Sequence, residues 1–201
     1  MAYDLCERAV TWSVRAHSIM TYEPQMEISP DGAMILTAEP ARWFAVYNSR
    51  TGDLIRRQQL PRDNGQWRPL VAFGPESQTV FLTHDSELLE ISIASGETVR
   101  RVGGVPWRAN INSIQVRASG EVLAFVERDG LLHWGLEATE PTLTELDPGV
   151  SANFPGEKVG DRFVTANTWP VKQPALVDLE NPTRIQVFAG HTNDWIVDVA
   201  V

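Results

Sequence analysis

Cysteine is almost absent from this sequence: Cys6 is the only one, so no intrachain disulfide can form. A single cysteine suits a reducing compartment, and we expect the protein to be cytoplasmic. The first residues lack an apolar stretch behind a basic start, so we expect no signal peptide. Long apolar runs are missing too. None approaches the ~20 residues that span a bilayer, and no membrane association is predicted.

Lysine is scarce as well, because Lys158 and Lys172 are the only two. Acidic residues outnumber basic ones by 26 to 17, which gives a formal net charge of -9. Such a field repels a polyphosphate, and no run of basic residues is present to override it. We therefore predict no binding to nucleic acid, and we expect cationic contacts to come mostly from arginine.

Histidine is sparse and scattered, since the four residues are His17, His84, His133 and His191. None of them has a second histidine or a cysteine at metal-ligand spacing, so no metal site is predicted. Residues 84–86 read His-Asp-Ser, but sequence neighbours at a turn between strands seldom point together as a triad. We expect no catalytic residue, no metal and no cofactor, and hence no enzyme.

A repeat of about 43 residues runs through the chain. It is marked by an apolar residue that closes an alternating strand just before a turn: Tyr47, Ile91, Trp134 and Val177, at intervals of 44, 43 and 43. Fixed-period similarity of this kind is the signature of a repeat architecture.

A second marker moves in step with the first. The turn Ser29-Pro-Asp-Gly32 lies between two strands, and Gly74-Pro-Glu-Ser77 repeats it, which we interpret as a copy with one extra residue. A third copy contains Ser119-Gly120, and a weaker fourth contains Gly160-Asp161. Proline presets the first turn position and glycine supplies positive φ, which explains why these residues recur between strands.

Each repeat holds four short alternating strands and no helix, which is typical of one blade of a β-propeller. We therefore predict an all-β propeller domain of four antiparallel strands per blade, with about four complete blades. The predicted boundaries of the complete blades are 22–67, 68–109, 110–152 and 153–190, with partial blades at 1–21 and 191–201.

The chain resembles bacterial WD40-repeat proteins. The resemblance is carried by the turn 29–32, by Tyr47 and Trp134 before their turns, and by Gly190-His191 followed by Trp195 and a strand. It departs from the family in having one Gly-His pair and no Trp-Asp pair at the end of a third strand. The resemblance implies structural roles for Asp31, Gly32, Trp134, Gly190 and His191.

The register leaves two interpretations of the blade count. In one, the chain is a fragment of a larger ring, and seven blades would be typical of the resembled family. In the other, the strand at 195–201 completes the partial blade at the opposite end, giving a small ring of about five blades. An open fragment would leave apolar blade faces uncovered, which predicts self-association.

The loops between second and third strands, and those between blades, open on one rim of a propeller. Tryptophan and arginine, which are enriched at interface hot spots, recur on those loops. The predicted rim comprises Arg42, Trp43, Trp67, Arg68, Trp107, Arg108, Trp169 and Lys172. Trp67 can also be interpreted as a structural residue, an aromatic side chain that packs between two blades. We predict a scaffold that binds a protein or peptide partner. The alternative is a ligand-sensing or enzymatic propeller, quinoprotein-like, with a small molecule over its channel.

Overall fold

The computed structural model describes residues 2–4, 9–13, 25–39, 43–60, 70–84, 87–102, 111–126, 130–135, 138, 140–145, 150–151, 158–159, 162–168 and 174–187. All regular structure in these residues is β-strand, nineteen strands in total. The prediction of an all-β chain is therefore confirmed. A helix long and apolar enough to cross a membrane is not found among these residues.

The chain divides into two compact units, residues 1–103 and 104–201. The first unit opens with an antiparallel pair, β1 (Ala2–Asp4) and β2 (Ala9–Trp12). Two four-stranded sheets follow, each antiparallel and each in chain order. The first contains β3 (Gln25–Ile28), β4 (Met34–Glu39), β5 (Trp43–Asn48) and β6 (Leu54–Gln59); the second contains β7 (Val71–Phe73), β8 (Thr79–His84), β9 (Glu87–Ser92) and β10 (Thr98–Val102).

The second unit has the same design. Its first sheet contains β11 (Ile111–Val116), β12 (Val122–Val126), β13 (Gly130–Trp134) and β14 (Thr142–Thr144), in chain order. Its second sheet contains β15 (Val150–Ser151), β16 (Lys158–Val159), β17 (Phe163–Thr168), β18 (Pro174–Asp178) and β19 (Asn181–Val187). In that sheet both β15 and β16 pair with β17.

Two features differ from the predicted repeat. The strand β1, which pairs with β2, was not predicted, because its three residues are too short to show an alternating pattern. The later part of the partial blade predicted at 1–21, residues 14–21, lies outside the described residues. In the last sheet the inner position is shared by two short strands, and β15 begins at Val150, within the range predicted for the preceding blade.

The turn that joins the first two strands of a sheet is the same in both sheets of the first unit. The backbone N–H of Ser29 donates to the carbonyl of Met34 at 3.0 Å, and that of Gly74 donates to Thr79 at 2.8 Å. The sequence interpretation of one extra residue in the second turn is therefore wrong. The fourth turn residue has positive φ in each case, 70° at Gly32 and 58° at Ser77.

The core of the first unit lies between its two four-stranded sheets. Successive side chains of each strand point to opposite faces of its sheet. The apolar side chains on one face of β3–β6 pack against those on one face of β7–β10. The buried cluster includes Leu36, Ala38, Phe44 and Val46 from the first sheet and Val71, Phe73, Val80, Leu82, Leu89 and Ile91 from the second. The side chains on the opposite face of the β3–β6 sheet do not belong to this cluster.

Candidate interaction surface

Trp43 and Arg57 form an aromatic–cation pair on the outer part of the β3–β6 sheet. Trp43 is half-buried, Arg57 is exposed, and the guanidinium carbon lies 4.7 Å from the centroid of the indole ring. The pair is diagonal across two strands, since Trp43 is directly opposite Gln59 and Arg57 is opposite Ala45. Contact with the ring orients the guanidinium and limits the conformations of both side chains.

The next sheet carries an ion pair at the same two positions of the repeat. Glu87 and Arg101 follow Trp43 and Arg57 by 44 residues each, and Arg101 Nη1 lies 3.1 Å from Glu87 Oε2. The same diagonal therefore holds opposite charges in one sheet and an aromatic ring with a cation in the other. Water can solvate both charges of an exposed ion pair, whereas a partly exposed indole leaves apolar surface in contact with water.

Of the predicted rim, only Trp43 falls within the described residues. It is the first residue of β5 and pairs with Glu39, so it belongs to the strand ladder and not, as predicted, to the preceding loop. The other seven rim residues lie outside the described residues: Arg42, Trp67, Arg68, Trp107, Arg108, Trp169 and Lys172. Arg57 was not predicted, because its approach to Trp43 depends on the register between β5 and β6.

Of the residues to which the WD40 resemblance assigns structural roles, the structure describes Asp31, Gly32 and Trp134. Trp134 is fully buried at the end of β13, in agreement with the core position expected for it. Gly32 adopts positive φ and its N–H donates to the carbonyl of Ser29 at 2.8 Å. Gly190 and His191 lie outside the described residues.

Asp31 stabilises the first turn through its carboxylate. Its Oδ1 accepts hydrogen bonds from the hydroxyl of Ser29 at 2.6 Å and from the backbone N–H of Ala33 at 3.0 Å. The Ser29 hydroxyl, followed by the Ala33 N–H, lowers the pKa of Asp31 because both bonds favour the ionised carboxylate. This arrangement explains aspartate in the turn without any catalytic role.

A polar clamp joins the two four-stranded sheets of the first unit at their outer edge. Arg56 donates from Nε to the carbonyl of Ile93 at 2.8 Å and from a second nitrogen to the carbonyl of Ala94. Gln58 donates to the carbonyl of Gly96 at 3.1 Å. A Cβ on Gly96 would lie 2.8 Å from the Gln58 amide oxygen and 2.9 Å from Arg56 Nη1, so a side chain there would displace the ends of both clamp residues, and the φ of 77° also favours glycine.

Two further polar clusters lie in the second unit. The buried carboxylate of Asp178 accepts two hydrogen bonds from the fork of Arg162, at 3.1 Å and 2.8 Å, and one from the backbone N–H of Glu180. Asp178 raises the pKa of Arg162 through hydrogen bonding and charge.

In the other cluster, His133 Nδ1 lies 3.2 Å from Glu121, which also accepts a hydrogen bond from Arg117 at 3.0 Å.

Neither cluster has the composition of a metal centre. No group of three or more potential metal ligands is found in the part of the chain that the structure describes. Each cluster joins a strand end to a turn of its own sheet, which is a structural arrangement. The Trp43–Arg57 pair is therefore the described feature that most resembles a binding surface.

No family model matches the sequence, and no curated protein matches it. Solved structures do resemble the chain. U3-55K has a TM-score of 0.64 at 16% identity, over 81% of this chain and 48% of that one. Dihydro-heme d1 dehydrogenase NirN, in complex with DHE, has a TM-score of 0.58 at 10% identity, over 85% and 38%. BamB from Moraxella catarrhalis has a TM-score of 0.53 at 16% identity, over 81% and 48%.

These similarities establish the fold class. The chain has a β-propeller fold built from four-stranded antiparallel sheets, as predicted from the repeat. The chain spans less than half the length of each of these structures. At such low identity the likeness is one of fold, and it transfers no activity to this chain.

Proposed function

We propose that this propeller is a non-enzymatic scaffold of the WD40 type that binds a protein partner, with Trp43 and Arg57 at the centre of the contact. The observation that supports this is the half-buried indole of Trp43 with an exposed guanidinium held over it at 4.7 Å. Tryptophan and arginine dominate interface hot spots because each offers a large contact area and a directional donor. The pair also needs little ordering on binding, since the two side chains already restrain each other.

Its position on the sheet suits this role. Both residues belong to strands, and strands fix side chains more rigidly than loops do. The equivalent Glu87–Arg101 pair in the next sheet lacks an apolar component, so the repeat supplies an internal comparison. If the aromatic surface binds the partner, substitutions in the Trp43–Arg57 pair should weaken partner binding, and substitutions in the Glu87–Arg101 pair should not.

The test is capture of binding proteins by the immobilised chain, read by quantitative mass spectrometry. Trp43→Ala and Arg57→Met are compared with Arg101→Met, which removes an exposed arginine at the equivalent position of the next sheet. Loss of a hot-spot aromatic costs about 2 kcal/mol or more, so we expect roughly a thirty-fold loss of affinity for the specific partner. Arg101→Met should retain it.

Retention of the same proteins in the same amounts by the three variants would exclude this surface. Thermal unfolding of each variant separates loss of binding from loss of fold.

The alternative of a ligand-sensing or enzymatic propeller predicts a different result. In a melting screen against metal ions and small metabolites, a ligand that raises the melting temperature in a saturable way would favour it.

A further inference from the structure

The two outer strands of the first four-stranded sheet carry positive charge, although the chain as a whole is acidic. These strands, residues 43–48 and 54–59, contain Arg56 and Arg57 and no aspartate or glutamate. We name them the β5–β6 ribbon. The equivalent ribbon of the next sheet, β9–β10, contains two arginines and two glutamates. On the neighbouring strand β4 the one acidic residue is Glu39, directly opposite Trp43.

This local charge, and not the net charge of -9, decides which groups the ribbon attracts. At physiological ionic strength a charge at the surface is screened over about 8 Å. Neighbouring strands are about 4.8 Å apart, so Glu27 on β3 is about 14 Å from β6 and is largely screened. The turn that joins the two strands adds one charge of each sign, Arg50 and Asp53. The ribbon therefore favours an anion.

The next sheet shows which anionic group an arginine at this position of the repeat binds. Arg101 follows Arg57 by 44 residues, and its Nη1 lies 3.1 Å from the carboxylate of Glu87. The position 44 residues before Glu87 holds Trp43, so β5 supplies a ring where β9 supplies a carboxylate. A carboxylate brought by a partner would restore the contact that the repeat makes in the next sheet.

Arg57 can bind such a carboxylate without leaving Trp43. A guanidinium carries its N–H donors in one plane, and a ring that lies against the face of that plane does not use them. The guanidinium carbon of Arg57 lies 4.7 Å from the centroid of the indole, and the arginine side chain is exposed. The pair therefore offers an apolar surface and a carboxylate-binding group side by side.

We propose that the partner is an acidic protein segment in extended conformation, in which a carboxylate binds Arg57 and an apolar side chain two residues away covers Trp43. This inference rests on the proposed function, since it names the chemistry of the partner that the Trp43–Arg57 pair binds. Side chains two residues apart in an extended segment lie on one face, about 6.7 Å apart. Such a spacing suits two groups whose centres are 4.7 Å apart.

The test measures binding of the complete chain to three sets of synthetic peptides. The first set contains glutamate two residues from leucine or phenylalanine, and the other two sets have glutamine or lysine in place of the glutamate. We expect the glutamate peptides to bind about fivefold more tightly than the glutamine peptides, a modest factor because water screens an exposed ion pair. Arg57→Glu should reverse the preference, so that the lysine peptides bind best.

The matched control is Arg50→Glu, which changes the net charge by the same amount at an exposed position of the turn at the other end of the ribbon. It should retain the preference for glutamate, and thermal unfolding should show that both variants are folded. Equal binding of the glutamate and glutamine peptides overturns the inference, as does the absence of binding to every set. An Arg57→Glu protein that still prefers glutamate also overturns it.

Inorganic polyphosphate serves as a competitor that distinguishes an acidic protein segment from a polyanion of another class. If it displaces the glutamate peptides at an equal concentration of charge, the surface binds any polyanion and the inference is overturned. The outcome for the proposed function is read separately, by capture with Trp43→Ala and Arg57→Met. Capture that depends on both residues, together with peptides that show no preference for acid, would leave the proposed function standing and remove only this inference.

Discussion

The hydroxyl oxygen of Ser77 accepts a hydrogen bond from the backbone N–H of Asp31 at 3.4 Å, which joins the first turns of two neighbouring sheets. Ser77 has a φ of 58°, and the equivalent turn positions are occupied by Gly32 and Gly120 with φ of 70° and 81°. A serine in this region is strained by about 1 kcal/mol relative to glycine. The chain thus retains a hydroxyl between the turns although glycine would fit the backbone better.

Substitution at Ser77 separates the strain from the hydrogen bond. Ser77→Gly relieves the strain and loses a long, weak bond, so we expect a net stabilisation of roughly 0.5 kcal/mol. Ser77→Ala keeps the strain and loses the bond, so we expect a loss of about 0.5–1 kcal/mol. Urea unfolding of both variants measures the difference. A Ser77→Gly protein less stable than Ser77→Ala would mean that strain at this turn is negligible.

The Arg56 clamp should contribute to the stability of the first unit. Arg56→Met keeps most of the apolar stem but leaves the carbonyls of Ile93 and Ala94 without their charged donor. Bonds from a charged donor contribute about 1.5–3 kcal/mol, and we expect a loss at the lower end of that range because the site is only partly buried. The control is Arg50→Met, at an exposed turn position. Equal free energies of unfolding for the two variants would contradict the role of the clamp.

The repeat and its turns could be predicted from sequence because they depend on local chemistry. Thr51-Gly52 and Ser95-Gly96 mark the turns after the third strands, and both glycines have positive φ, at 76° and 77°. Alternation then places Tyr47, Ile91 and Trp134 on buried faces. The length of the turn at Ser77 could not be predicted correctly, because a serine there occupies a left-handed position at which the repeat pattern leads one to expect glycine.

The contacts between strands and sheets could not be predicted. Arg56 reaches carbonyls 37 and 38 residues away, which requires the sheets to be packed first. The register that brings Arg57 beside Trp43 is set by a shift near Tyr47, between the pair and the turn, where a bulge leaves Ile55 without a direct partner in the ladder. The position of such a bulge does not follow from alternation, so the Trp43–Arg57 pair could not be inferred from the sequence.

The buried carboxylate of Asp178 makes Arg162 important for the last sheet. Arg162→Met removes the fork that binds Asp178 and leaves a buried negative charge with its cation gone. We expect the melting temperature to fall by about 4 °C or more, although water at the half-exposed Arg162 position should moderate the loss. Glu180→Gln is the control, since Glu180 is exposed and lies 3.5 Å from Arg162. Similar melting temperatures for both variants would contradict this expectation.

The turn at Asp31 predicts a specific dependence of stability on pH. The Ser29 hydroxyl and the Ala33 N–H hold the pKa of Asp31 below its usual 3.8 in the folded protein. Asp31 therefore contributes stability that is fully present above about pH 4 and is lost as the pH falls through the folded pKa. Wild type should be more stable than Asp31→Asn near neutral pH, and the gap should narrow in acid. Ser29→Ala should raise the pKa of Asp31 toward its usual value, measured by carboxyl NMR titration of the folded protein. An unchanged titration in that variant would show that the serine does not set the pKa.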